Sequence, residues 1–281
     1  MRKSLVLASG LFVLAPLAQA SADSTDIHGF FDESLQNDYI TPRGLMVTNK
    51  GLTSQTLDGL VFLLPDNIAL AGGTWVDADA DQHSPTVGAF NEFDWFFGAT
   101  VGLGNTKLGA QFVQFLSPPG AFSAETNVEF SASYNDTGML GPLSLQPYAK
   151  LFYAITGDST VITGRHGDTF DVELGGVPTW DLHAENIPLI LTAPTWVTVG
   201  PQEYFGGGGD IGVFSTGIVA KYHLAQISPA YGSWYLKGGV QFYDFINREL
   251  RVAQTLDGTA PATGGGHANA VLASAGFGFS F

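Results

Sequence analysis

The sequence predicts an all-β fold: a single antiparallel transmembrane β-barrel of about twelve strands. Three observations predict it. Several segments alternate between apolar and polar residues over ten or more positions, which is the two-residue period of a strand. The last residues, His267 to Phe281, set Val271, Ala273, Ala275, Phe277, Phe279 and Phe281 on one face against Ser274, Gly276, Gly278 and Ser280 on the other. The composition combines 36 glycines and 21 phenylalanines with a charged fraction of only 13%. That mixture suits strands whose outer face meets lipid, and so many large apolar residues argue against disorder.

The first residues read as an export signal. Arg2 and Lys3 precede the apolar stretch Leu5 to Leu17, and Ala18-Gln19-Ala20 supplies a small-x-small cleavage site. The stretch is short of the ~20 residues that span a bilayer. Residues 1–20 are therefore expected to be removed, leaving residues 21–281 as the barrel domain. No other apolar run approaches a membrane helix, so any crossing is made by strands.

Phe122 to Tyr134 shows the alternation most clearly. Phe122, Ala124, Thr126, Val128, Phe130, Ala132 and Tyr134 fall on one face, and Ser123, Glu125, Asn127, Glu129, Ser131 and Ser133 on the other. This exceeds the usual soluble strand of about 5–6 residues and fits a tilted membrane strand of ~9–11. The same scheme places Ser144, Gln146, Tyr148 and Lys150 opposite Leu143, Leu145, Ala149, Leu151, Tyr153 and Ile155. It sets Tyr235, Lys237, Gly239, Gln241 and Tyr243 against Trp234, Leu236, Gly238, Val240 and Phe242.

Read through the whole chain, the pattern gives strands near 27–39, 53–63, 67–77, 90–103, 106–116, 122–134, 143–156, 167–178, 187–199, 209–224, 232–246 and 268–281. The ninth is interrupted by Pro188, Pro194 and Pro201, which cannot donate to a ladder. Tight turns at Leu64-Pro65-Asp66 and Gly104-Asn105 follow even strands. Longer connections, including Thr41–Lys50, Ala78–Ala89, Gly157–His166 and Asn247–His267, follow odd ones. Short turns at one end and long loops at the other belong to membrane barrels. Ser117–Ala121 and Asn135–Pro142 depart from this asymmetry, and ten to fourteen strands stay compatible with it.

Acidic residues number 26 against 11 Lys and Arg, two of which lie in the signal. Such a balance excludes nucleic acid as a partner, because its phosphates would be repelled. Cysteine is absent, which suits an exported chain without disulfides. The six histidines are scattered without metal-ligand spacing, and no Gly-x-Ser-x-Gly elbow occurs. The glycines at 206–209 lack the order of a phosphate-binding loop and read as a flexible loop tip. The chain is therefore not expected to be an enzyme, and no cofactor is expected.

With its terminal Phe281, preceded by Phe277 and Phe279, the chain resembles bacterial outer-membrane barrel proteins. Their last strand commonly ends in phenylalanine, as part of the signal read by the barrel assembly machinery. The early segment Asp38-Tyr39-Ile40-Thr41-Pro42-Arg43-Gly44 is similar to an Asp-Tyr followed closely by Arg-Gly in small porins of proteobacterial outer membranes, with one residue more in the spacing. The resemblance covers nearly the whole chain after the signal. It implies location in the Gram-negative outer membrane, contact with its lipid and lipopolysaccharide, and passive passage of small solutes. It supplies no catalytic residues.

Among the residues themselves, Glu125, Asn127 and Glu129 share one polar strand face, and Lys150, Glu173, Lys221 and Lys237 fall on the same side of their own strands. These seven are expected to line the lumen and to set ion or solute selectivity, as rings of charge do in pores. The alternative is a salt-bridged network that plugs a structural barrel acting through its external loops. Asp77, Asp79 and Asp81 alternate with small residues just after the third strand. They could converge on Ca2+, although the EF-hand order is absent. The five tryptophans, Trp75, Trp95, Trp180, Trp196 and Trp234, are expected near strand ends, where such rings anchor at headgroups. The solute and the oligomeric state stay open.

Overall fold

The computed structural model describes residues 26–48, 51–79, 89–120, 123–156, 158–160, 165–166, 168–205, 207–252 and 268–281. The expected signal, residues 1–20, lies outside them. The fold is a closed antiparallel barrel of 12 strands. They are β1 (Asp26–Gln36), β2 (Thr53–Leu64), β3 (Ile68–Asp79), β4 (Phe90–Leu103), β5 (Thr106–Leu116) and β6 (Glu125–Tyr134). There follow β7 (Leu143–Ser144 and Pro147–Thr156), β8 (Thr169–Gly176 and Thr179–Asp181), β9 (Leu189–Thr192 and Thr195–Val199), β10 (Ile211–His223), β11 (Ser233–Phe245) and β12 (Asn269–Ser280). Each strand pairs with its neighbour in sequence, and β1 pairs with β12 to complete the ring.

Three strands are broken into two pieces, each for a local reason. In β9 the break falls at Pro194, which has no N–H to give, and the two pieces pair with successive parts of β10. In β8 it falls at Pro178. In β7 it falls at Gln146, whose φ of 46° lies in the left-handed region. That conformation is held from the preceding turn. The Asp136 carboxylate accepts the backbone N–H of Leu145 (2.8 Å to Oδ2) and of Gln146 (2.9 Å to Oδ1).

The side-chain parity follows from the pleat. The outward face carries residues such as Phe97, Ile218 and Val240, 57%, 64% and 52% exposed. An apolar exterior of this extent suits hydrocarbon rather than water. The inward face carries buried Asp32, Asp77, Asp94, Asn127, Asp171 and Lys221. Two glycines show how closely the strands approach. A Cβ on Gly73 would fall on the carbonyl oxygen of Asp58, and one on Gly276 on that of Glu33.

Two expectations are corrected. Trp75 and Trp196 point into the barrel and are 7% exposed each, so only part of the tryptophan set belongs to an outer girdle. The first strand ends at Gln36, and the connection after it is not an external loop. Tyr39–Ile40 pairs with Met46–Thr48 in a short hairpin that folds into the lumen. Its tip is closed by Gly44 N–H donating to Thr41 O (2.9 Å), with Gly44 at φ 88°. On one side Tyr39, Leu45 and Val47 pack on Trp75. On the other, Ile40 and Met46 join the interior cluster of Trp196, Phe205, Val213 and Phe245. Burial of these apolar side chains, each contributing about 1.5–3 kcal/mol, holds the hairpin inside.

Candidate functional site

The hairpin delivers one cation to the interior wall. Arg43 sits at its tip, between Thr41 and Leu45, and reaches β6 and β8. Its Nη1 donates to Glu125 Oε1 at 2.8 Å, and its Nε lies 3.8 Å from Asp171 Oδ1. The guanidinium carbon is 5.2 Å from the Phe115 ring centroid and 5.5 Å from that of Phe152. Glu129 and Asp94 are also close enough to interact with it electrostatically. Asn127, between Glu125 and Glu129 in sequence, is 0% exposed, and neither side-chain amide atom has a hydrogen-bond partner in the protein. Beside this chamber the Tyr39 hydroxyl donates to Glu92 Oε2 (2.6 Å).

Two further charge groups occupy other parts of the wall. Lys150 Nζ lies 3.0 Å from Glu173 Oε1 and 4.9 Å from the Tyr148 ring centroid, while the Tyr148 hydroxyl donates to the same carboxylate at 2.7 Å. Across the barrel, Asp32 accepts from the Tyr235 hydroxyl (2.6 Å) and pairs with Lys237. Lys221 Nζ stands 4.1 Å from the Tyr235 ring centroid. Register puts Lys221 directly opposite Lys237, so these cations share a patch on β10 and β11.

The seven residues singled out by alternation, Glu125, Asn127, Glu129, Lys150, Glu173, Lys221 and Lys237, all face inward. They do not form one ring. Glu125, Asn127 and Glu129 belong to the Arg43 chamber, Lys150 and Glu173 to a neighbouring pair, and Lys221 and Lys237 to the Asp32 patch. The sequence reading missed Arg43, Asp32 and Asp171 as members. Parity along β1 and β8 could have found the two aspartates. The apolar run Leu45-Met46-Val47, unusual for an external loop, could have signalled that Arg43 is carried inward.

Asp77 and Asp79 lie in β3, which continues past the expected strand end, so they are strand rather than loop residues. Asp77 is fully buried and accepts from Thr53 Oγ1 (2.7 Å), Gln55 Nε2 (3.0 Å) and Asn91 Nδ2 (2.6 Å), all neutral donors. Asp81 lies outside the described residues. Among those described, no group of three or more His, Asp or Glu side chains is arranged to hold a metal. The glycines 207–209 are tied down, since Asn247 Nδ2 donates to Gly207 O and Gly209 O at 2.8 and 3.0 Å. This corrects the flexible tip expected there. Phe277, Phe279 and Phe281 face outward along β12. Phe279 stacks on Trp234 at 4.5 Å and on Phe31 at 5.6 Å between ring centroids.

No family model matches the chain, and no curated protein matches its sequence. Among solved structures it is similar to the NanC porin, with 7% identity, 90% of this chain and 98% of the porin covered, and a TM-score of 0.50. An outer membrane channel from Pseudomonas putida F1 is similar at 11% identity, with 92% and 95% of the two chains covered and a TM-score of 0.49. At such identities the first likeness bears on the fold alone, and it agrees with the closed barrel described above.

Proposed function

We propose that the chain is a small outer-membrane channel for ions or small solutes, with a preference for cations and a passage narrowed by the hairpin after β1. The observation that carries this is the chemistry of the two faces. The outer wall is mainly apolar, broken on β1 to β3 by a polar strip in which Ser54 and Thr56 donate to Glu33 and Thr74 donates to Asp58. The inner wall bears Asp32, Asp77, Glu92, Asp94, Glu125, Glu129, Asp171 and Glu173, which outnumber the inward Arg43, Lys107, Lys150, Lys221 and Lys237. A barrel built only to be filled would satisfy its interior with apolar layers or matched pairs, because unmatched buried charge is expensive. An excess of carboxylates is supported by water and exchangeable cations. The porin likeness fits this reading, and location in the outer membrane, in contact with its lipid and lipopolysaccharide, is part of the proposal.

Conductance of the purified protein in planar bilayers tests the proposal. Discrete steps that reverse on the cation side of a salt gradient are expected. Silence from well-folded protein would favour a second reading, a plugged barrel acting through its loops. The close packing of Tyr39, Ile40, Met46 and Val47 inside the lumen is the observation that favours it.

A further inference from the structure

The chamber around Arg43 has the features of a binding site whose occupant is supplied by the chain itself. A guanidinium is flat and offers donors in its plane and weakly hydrated faces above and below it. Here Phe115 and Phe152 both stand at cation–π distance from the guanidinium carbon. Glu125 accepts from Nη1 and Asp171 faces Nε. Lys150 stands over the same Phe152 ring at 6.0 Å but is paired with Glu173, so with Glu129 and Asp94 beside Glu125 and Asp171 the wall keeps an excess of carboxylates. Asn127 adds a fully buried amide with no hydrogen-bond partner in the protein, on the same inward face between the two glutamates. Arg43 itself is carried on the tip of a hairpin, not on a barrel strand, so the wall exists independently of its occupant.

We propose that this chamber is a recognition site for the guanidinium group of a small cationic solute, with Arg43 acting as its tethered stand-in. The proposal deepens the channel reading, which supplies the route by which the solute arrives. A solute bearing the same group competes with Arg43, and on binding displaces the hairpin tip from the wall. An ammonium would satisfy the carboxylates but is more strongly hydrated and has no flat face to lay on Phe115 and Phe152, so the site favours a guanidinium by shape and hydration as well as charge.

Thermal unfolding of the full barrel in detergent micelles tests this with methylguanidinium as the probe and methylammonium at equal ionic strength as the control. In R43S, millimolar methylguanidinium should raise the unfolding temperature in a saturable way, and methylammonium should not. The wild type should respond about tenfold more weakly, because Arg43 competes. R43S combined with E125Q should lose the response. Equal shifts from both amines, or equal shifts in R43S and wild type, would overturn the proposal. Should R43S fail to fold, saturable block of wild-type current by methylguanidinium but not methylammonium supports the site, and indifference to both overturns it. A barrel that binds the probe yet never conducts removes the channel reading and leaves the site. One that conducts without any guanidinium response does the reverse.

Discussion

Gly29 and Phe281 exchange both of their backbone hydrogen bonds, each 3.0 Å long, and the phenyl ring of Phe281 covers the place where a side chain on Gly29 would stand. This pair extends the β1–β12 ladder past its last strand residues and finishes the seam on its short-turn side. An aromatic ring laid over a strand glycine restores cover that the glycine lacks.

Deleting Phe281 removes two backbone hydrogen bonds and that cover at once. The truncated protein should be exported normally but insert poorly, seen as loss of heat-modifiable migration on gels. Full heat-modifiability after deletion would refute a role for this residue in assembly.

The two glycines of the seam should tolerate substitution differently. A methyl group on Gly29 meets the Phe281 ring first, which can swing outward, so G29A should cost under about 1 kcal/mol. On Gly276 a methyl group meets the fixed carbonyl of Glu33, and G276A should cost about 1–3 kcal/mol through displaced backbone. Urea unfolding of folded barrels separates the two; equal losses would mean the seam is more compliant than its register suggests.

If the lumen conducts, replacing Glu125 and Glu129 with glutamine should move the reversal potential under a salt gradient towards anions. The change should be modest, because Asp94 and Asp171 remain and screening acts over ~8–10 Å near physiological salt. An unchanged potential would show that these carboxylates lie off the narrow path.

Asp136 should make the turn before β7 sensitive to acid. Desolvation opposes ionisation, but the N–H groups of Gln146 and Leu145 outweigh this and hold its carboxyl below the usual range. A carboxylate with a lowered folded pKa contributes stability above the unfolded value and loses it as pH falls through the folded one. D136N should therefore be destabilised by about 1 kcal/mol at neutral pH. Its deficit should shrink in melting curves as pH falls below the unfolded carboxylate value of about 3.9 and through the lower folded one. A deficit independent of pH would assign the effect to packing.

Much of the barrel is legible in sequence because a pleated strand exposes its inside and outside on alternate residues. The ranges 90–103 and 106–116 coincide with β4 and β5, where alternation runs unbroken into a two-residue turn. Parity alone also sets Glu125, Lys150 and Lys237 on the inner face. It fails where the chain leaves the ladder. Asp38 and Tyr39 continue the alternation of β1, so the pattern extends the strand through them, although the chain turns inward at Asn37. Nothing local distinguishes a Tyr that anchors at a headgroup from one that donates to Glu92 across the lumen, 53 residues away. Trp75 and Trp196 were misplaced for the same reason: an indole suits an interface and an interior cluster equally, and only tertiary packing decides.

The placement of Arg43 imposes an order on events in time. It follows directly after the first strand, yet its carboxylate partner Glu125 is 82 residues further on, and β1 must also wait for β12. Throughout synthesis and transit, Tyr39, Ile40, Leu45, Met46 and Val47 have no wall to pack on. Contacts of such long separation are slow to form, and the apolar segment is exposed meanwhile. The hairpin that comes first in the chain can take its place only after β6 to β8 are laid down. Its docking therefore reports on the arrival of strands translated long after it.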